Sequence, residues 1–245
     1  MKSKRGSHVG IILSFVMFVT FLIFLYSILE PQLKVEKDKE AFLEYLKRDL
    51  MQEFYGGLTV VVTKSANEIE SKIPKDENCM SIPVGEIDVV GKNYLVRASD
   101  EILVGGEFSD SGEFFNYDWD GDKKKFYKIY FAEEGFVSLP EYIGFDCVDG
   151  EIKLVNKKEY IFESKIKEII KIYNDKGFEK VAENLSLNIP AGSEFGLKFL
   201  DKERTELYST NEGNVSVSIF SEELPIQYVD EEANILPGFI VLRVW

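Results

Sequence analysis

The chain has 245 residues, 43 acidic against 29 basic, giving a formal net charge of −14, and it holds one histidine. Such an acidic surface repels phosphate, which excludes nucleic-acid binding as a main role. The single His8 excludes His-based triads and His-rich metal sites from the rest of the chain.

In chain order, the first element is a basic head over residues 1–8, carrying Lys2, Lys4 and Arg5. An apolar run from Val9 to Leu29 follows, without charge or proline. As a helix rising ~1.5 Å per residue, this run matches the ~30 Å hydrocarbon core of a bilayer. Only a helix satisfies the backbone of a single segment inside lipid. Basic flanks stay on the cytoplasmic side, so the expected topology is single-pass, with the head inside and the body outside. No small-x-small site follows at Tyr26–Pro31, which favours a retained anchor over a removed secretory signal. Every acidic residue lies at or beyond Glu30, so the remainder carries 43 acids against 26 bases, a net near −17. The ordinary reading of that charge is solubility; the sharper one is attraction for divalent cations or a basic partner surface.

Residues 30–56 read as an amphipathic helical stalk. Pro31 either kinks the helix or ends it, and Phe42, Leu46, Leu50 and Phe54 recur at i+4 on one face. Gly56-Gly57 supplies the expected stop. The body, 57–245, is β-rich. Strands are predicted at Leu58–Thr63, Ile87–Val90, Tyr94–Ala98, Ile102–Val104, Phe126–Phe131, Phe136–Leu139 and Glu151–Val155. Helices are predicted at Tyr160–Tyr173 and Phe178–Leu185. Strands return at Phe195–Leu200, Val215–Phe220, Pro225–Val229 and Phe239–Trp245. The expected class is α+β, with a long N-terminal helix and a β-rich extracytoplasmic body containing at least one more helix. The Tyr160–Tyr173 helix either covers one sheet or splits the body into two modules near 156–175.

Few residues carry legible chemistry. Cys79 and Cys147 lie in the outward portion, where an oxidising compartment allows a disulfide worth roughly 4 kcal/mol in the chain-entropy model. Two independent thiols are the alternative. Asn116, Asp118, Asp120 and Asp122 place oxygens at alternate positions, with Gly121 after the third, like the first half of a calcium loop. The closing bidentate Glu is missing, three lysines follow, and Asp120-Gly121 is also an ordinary hairpin turn signal. The turn is preferred, calcium is the alternative, and no other cofactor is expected. Asn184-Leu185-Ser186 and Asn214-Val215-Ser216 match the glycan acceptor pattern. The acidic pairs Glu133-Glu134 and Glu222-Glu223 would suit a carboxylate hydrolase, but neighbours on a strand point to opposite faces, so no enzyme is expected. Phe15, Phe18, Phe21 and Phe24 drift round a helix by threes, which suits lipid exposure better than one seam.

The first 55 residues resemble the leader and N-terminal helix of archaeal type IV pilin-like proteins, archaellins among them. Lys4-Arg5-Gly6 is similar to the end of their short basic leader, with Ser7 as the mature N-terminus. A retained helix, greasy and then amphipathic, before a β-rich body is similar to their layout. Many pilins carry a Glu five residues into the mature helix; Ile11 stands there, as archaellins allow. The resemblance implies processing at Lys4, Arg5, Gly6 and Ser7, and a non-enzymatic surface subunit. Its apolar helix would insert in membrane lipid or pack in a filament, and its acidic body would bind a cell-surface partner. A permanently anchored extracytoplasmic binding module is the alternative.

Overall fold

A computed structural model describes residues 6–65, 78–120, 125–137, 139–144, 147–187, 189–190, 192–211 and 219–245, with the side chains of all of these except 6–9, 31–36 and 65. The fold is α+β. Helix α1 (Gly6–Phe54) runs 49 residues without interruption through Pro31, about 70 Å at 1.5 Å per residue. Its first half is bare: none of Gly10–Glu30 is buried. Its second half is the stalk, where Phe42, Leu43, Leu46, Leu50 and Phe54 are all at most 8 % exposed.

The helix passes directly into β1 (Tyr55–Ser65), followed by β2 (Cys79–Pro83), β3 (Asn93–Ala98), β4 (Leu103–Val104), β5 (Gly106–Phe108), β6 (Phe114–Asp118) and β7 (Tyr127–Ala132). A 15-residue strand, β8 (Val148–Phe162), then leads into α2 (Glu163–Lys176) and α3 (Phe178–Asn184). The chain closes with β9 (Phe195–Asp201), β10 (Glu206–Ser209), β11 (Phe220–Val229) and β12 (Ile235–Val244). The strands form one sheet in the order β10-β9-β12-β11-β8-β1-β7-β3-β4, with β2, β5 and β6 paired beside this path.

Strand β8 is common to both halves. It ladders antiparallel with β1 along almost its whole length, meets β2 in parallel at Met80↔Val148, and meets β11 in parallel at Tyr228↔Ile161. One core lies where the stalk stripe of α1 meets Ile166, Ile169, Ile170 and Tyr173 of α2, and Phe195, Phe199, Ile240 and Leu242 of the C-terminal strands. A second, built on Val61, Met80, Phe115, Tyr117 and Phe131, fills the upper half. A third, with Leu58, Leu95, Phe162 and Val229, joins the two. Across the same joint, the buried Arg97 of β3 reaches the β11–β12 turn. It donates to Asn234 Oδ1 at 2.9 Å and to the Glu232 carbonyl, and pairs with Glu101 at 3.2 Å.

Several predicted boundaries need correction. Gly56-Gly57 does not stop the helix in a turn; both residues lie in β1. Gly56 is there for closeness, since a Cβ would stand 2.9 Å from Glu134 Oε2 and from the Phe162 ring. The second helix begins at Glu163, because Tyr160 to Phe162 still ladder with β1 and β11. Ile87–Val90 is a turn region, closed by Ile87 N–H to Val84 O at 2.9 Å and Lys92 N–H to Val89 O at 3.1 Å. Phe136 and Leu139 pack on the third core rather than in a strand, and Val137 N–H donates to Glu231 O at 2.8 Å. Most of the predicted strand at Val215–Phe220 lies outside the described residues; β11 begins at Phe220.

Leu50 is wholly buried. Leu50→Ala in the detergent-solubilised full chain should cost about 2–5 kcal/mol of unfolding free energy by denaturant melt. Tyr45→Ala, on the exposed side of the same helix, should cost under about 1 kcal/mol.

Candidate functional site

Two regions bear on function: the bare half of α1, and a cleft on the upper half of the body. The apolar segment Gly10–Glu30 is 21 residues long and could span a membrane or serve as a signal sequence. Two of its hydroxyls bond back to the preceding turn: Thr20 donates to Val16 O at 2.7 Å and Ser27 to Ile23 O at 2.9 Å. Phe15, Phe18, Phe21 and Phe24 are each more than half exposed. Gly6 and Ser7 open the helix, while Lys4 and Arg5 lie outside the described residues.

The cleft lies between the end of β6, the start of β7 and the β3–β4 hairpin. It encloses about 300 Å³ and is lined by Ile102, Val104, Trp119, Tyr127 and Ile143, with Asp100, Asp118, Asp120 and Lys125 among its polar groups. β6 alternates, burying Phe115 and Tyr117 and turning Asn116 and Asp118 to the other face. Tyr117 ends in a buried hydroxyl contact with Thr63 at 2.5 Å and with the Met80 sulfur at 2.8 Å. Asp118 Oδ1 accepts the Ile143 N–H at 3.2 Å. Burial pushes the Asp118 carboxyl above its ordinary value, while the Ile143, Gly105 and Gly144 backbone groups pull it back.

Lys125 spans the rim, with Nζ 2.8 Å from Asp100 Oδ2 and 2.5 Å from Asp120 Oδ2. Its hydrogen bonds to Asp100 and Asp120 raise the ammonium above its ordinary range, and the same ammonium lowers the Asp100 carboxyl. Tyr127 Oη donates to Asp120 Oδ1 at 3.2 Å. Of the four residues matched to a calcium loop, Asn116 and Asp118 sit on a strand, Asp120 is engaged by Lys125 and Tyr127, and Asp122 lies outside the described residues. No group of three or more acidic, histidine or cysteine side chains converges on a metal position among the described residues. Of the preferred turn, Gly121 lies outside the described residues; the flanking strands are not ladder partners, since β6 pairs with β2 and β5 while β7 pairs with β1 and β3.

Beside the cleft, Cys79 and Cys147 are joined, with Cα atoms 4.5 Å apart across a sequence separation of 68. Tyr142 Oη donates toward both sulfurs, at 3.1 and 3.4 Å. The segment Tyr142–Ile143 that walls the cleft is thus held by the disulfide and by Asp118. Asn184 is exposed at the end of α3; Asn214 lies outside the described residues.

The acidic pairs diverge. Glu134 is bound by Lys165 at 3.1 Å, with its Oε2 buried and unpartnered. Glu222 pairs with Lys47 at 2.8 Å, and Glu223 with Arg204 at 2.8 Å. The Arg97 clamp and the Lys125 bridge had no sequence signal, because their partners are brought together only by the sheet. Comparison with protein-family models, curated proteins and solved structures finds no match to this chain.

Two measurements check this arrangement. Thiol titration of the denatured, unreduced protein should find no free cysteine, and reduction should lower stability by about 4 kcal/mol, the chain-entropy value for a loop of this size. Lys125→Met should raise the Asp100 carboxyl towards its ordinary value, read by carboxyl NMR titration. The sign follows from its lowered native value: the Lys125 bridge stabilises above the ordinary carboxylate range, and that stability is lost as pH falls through the native value. The Lys125→Met protein should show a smaller acid-side loss.

Proposed function

We propose that the chain is a non-enzymatic, membrane-anchored surface protein of pilin-like design, with its N-terminus cytoplasmic and its acidic body outside. The observation that carries this reading is α1 itself. One unbroken helix presents 21 bare apolar residues and then buries Phe42, Leu46, Leu50 and Phe54 in the body. A signal to be discarded has no need to be continuous with a helix that forms part of the core. Retention of the apolar half therefore accords with retention of the stalk.

The orientation rests on Lys2, Lys4 and Arg5 before the segment and on the acidic remainder after it. The disulfide accords with an oxidising exterior. A cleft of about 460 Å³ along the stalk, lined by Asp38, Phe42, Tyr45, Arg48, Leu187 and Pro190, is large enough to take side chains of a neighbouring subunit. In this reading Lys4-Arg5-Gly6 ends the leader, Ser7 begins the mature chain, and the body carries adhesion or partner contact.

N-terminal sequencing of membrane-purified protein should begin at Ser7, and the protein should appear in sheared surface filaments. A chain beginning at Met1 and absent from filaments would leave the permanently anchored module in its place. Protease added to intact cells should digest the body; a protected body would overturn the topology.

A further inference from the structure

A free backbone edge runs through the middle of the sheet. β8 uses one edge for β1. Its other edge is taken by β2 only at Val148 and Asp149, and by β11 only at Ile161 and Phe162. From Gly150 to Tyr160 that edge has no strand partner among the described residues. The side chains from Lys153 to Glu159 are exposed on both faces of the strand. Leu154 is 55 % and Val155 42 % exposed.

Natural edges are kept short, or are blunted by bulges and lysines. β8 has a register break against Val62 and Thr63 that leaves Lys153 unpaired, so the regular part of the free edge is Leu154–Tyr160. Seven residues at ~3.4 Å give an edge about 24 Å long, along which every second residue presents an unpaired N–H and C=O. The bulge and the lysines blunt this edge against indiscriminate pairing, while Leu154 and Val155 leave two apolar side chains in solvent beside it.

The occupant is constrained by the ends. Met80-Ser81 and Tyr228-Val229 close the window, so the 15-residue β8 of a second copy cannot lie along it. β4 has two residues, and the Ser209 carbonyl of β10 is already bonded by Asn174 at 3.0 Å, so the chain's own outer strands are poor donors. A short extended segment of a partner protein fits. Strand alternation puts Leu154 and Lys158 on one face, and Val155 and Lys157 on the other. Lys157 has only a 3.5 Å pairing with the exposed Asp88, and Lys158 has no ion pair among the described residues. The complement on an antiparallel strand is therefore two adjacent carboxylates, a spacer, and two adjacent apolar residues.

We infer that the free edge of β8 over Leu154–Tyr160 is a strand-addition site for a short acidic-then-apolar segment of a partner protein. Main-chain bonds to the edge supply the affinity. Lys157, Lys158, Leu154 and Val155 supply the choice of sequence. The inference holds whether or not the protein enters filaments.

The test uses the full chain in detergent micelles and a blocked peptide of sequence Thr-Glu-Glu-Thr-Val-Val-Thr. Saturable binding should slow amide exchange at least ten-fold at the alternate residues of Leu154–Tyr160 whose N–H groups face away from β1. The same peptide with lysine for glutamate should bind at least ten-fold more weakly. Lys157→Glu with Lys158→Glu should reverse that preference, a swap that loss of folding cannot produce. No slowing at millimolar peptide, slowing elsewhere, or equal binding of both peptides would overturn the site. So would exchange at β8 that slows with protein concentration alone, which would point to a second copy as occupant.

Discussion

The stalk stripe of α1 is the constraint on which the rest of the structure depends. Phe42, Leu46, Leu50 and Phe54 must be covered, because each large apolar side chain left in water forfeits about 1.5–3 kcal/mol. The half of the same helix before them is bare. The body must therefore clasp one end of a helix without touching the other. α1 leads into β1 with no intervening loop. Gly56 lets Glu134 and the Phe162 ring approach the junction, and Lys165 of α2 ties it down by bonding the Tyr55 carbonyl at 2.8 Å and Glu134 at 3.1 Å. Lys47 and Glu222 add a second tie higher on the stalk. Helix and body are coupled by packing, with no hinge between them.

The two halves of the body are held together by a different economy. Apolar clusters above and below are joined by a small third cluster, by β8, and by Arg97. Arg97 is nearly buried and lies over the Tyr130 ring at 5.8 Å. Two of its hydrogen bonds go to the β11–β12 turn, itself shaped by Asp230 accepting from Glu232 and Asn234, and a third goes to Glu101, while its Nε is buried without a partner. The polar contacts of Arg97 tie the turn to β3.

How much of this was legible differs by element. The anchor and stalk were readable because their periodicity is local: a run without charge, then i+4 spacing. β1, β7 and β12 were readable because β-branched and aromatic residues cluster in them. Cys79–Pro83 and Phe114–Asp118 were missed because serine, proline and acids interrupt short strands whose burial comes from partners elsewhere. β8 was cut short because Asn156, Lys157, Lys158 and Glu159 look like a helix approach, whereas the register with β1 holds them extended. Site residues fared likewise. The cysteines and acidic residues could be named from sequence. Their assortment could not, since Lys125 reaches Asp100 across 25 positions and Arg97 reaches Asn234 across 137.

The place of β12 carries a consequence for biogenesis. It inserts between β9 and β11, and it forms part of the floor on which the stalk lies. That floor is complete only after about 190 further residues have been made beyond Phe54, or ~10–40 s at ribosomal speed. Throughout that interval the nascent chain displays a greasy stripe beside an already lipid-ready segment. Closure then requires contacts distant in sequence, which form slowly. The stripe therefore stays uncovered until β12 has paired with β9 and β11, and β12 acts as the latch that closes the floor beneath it.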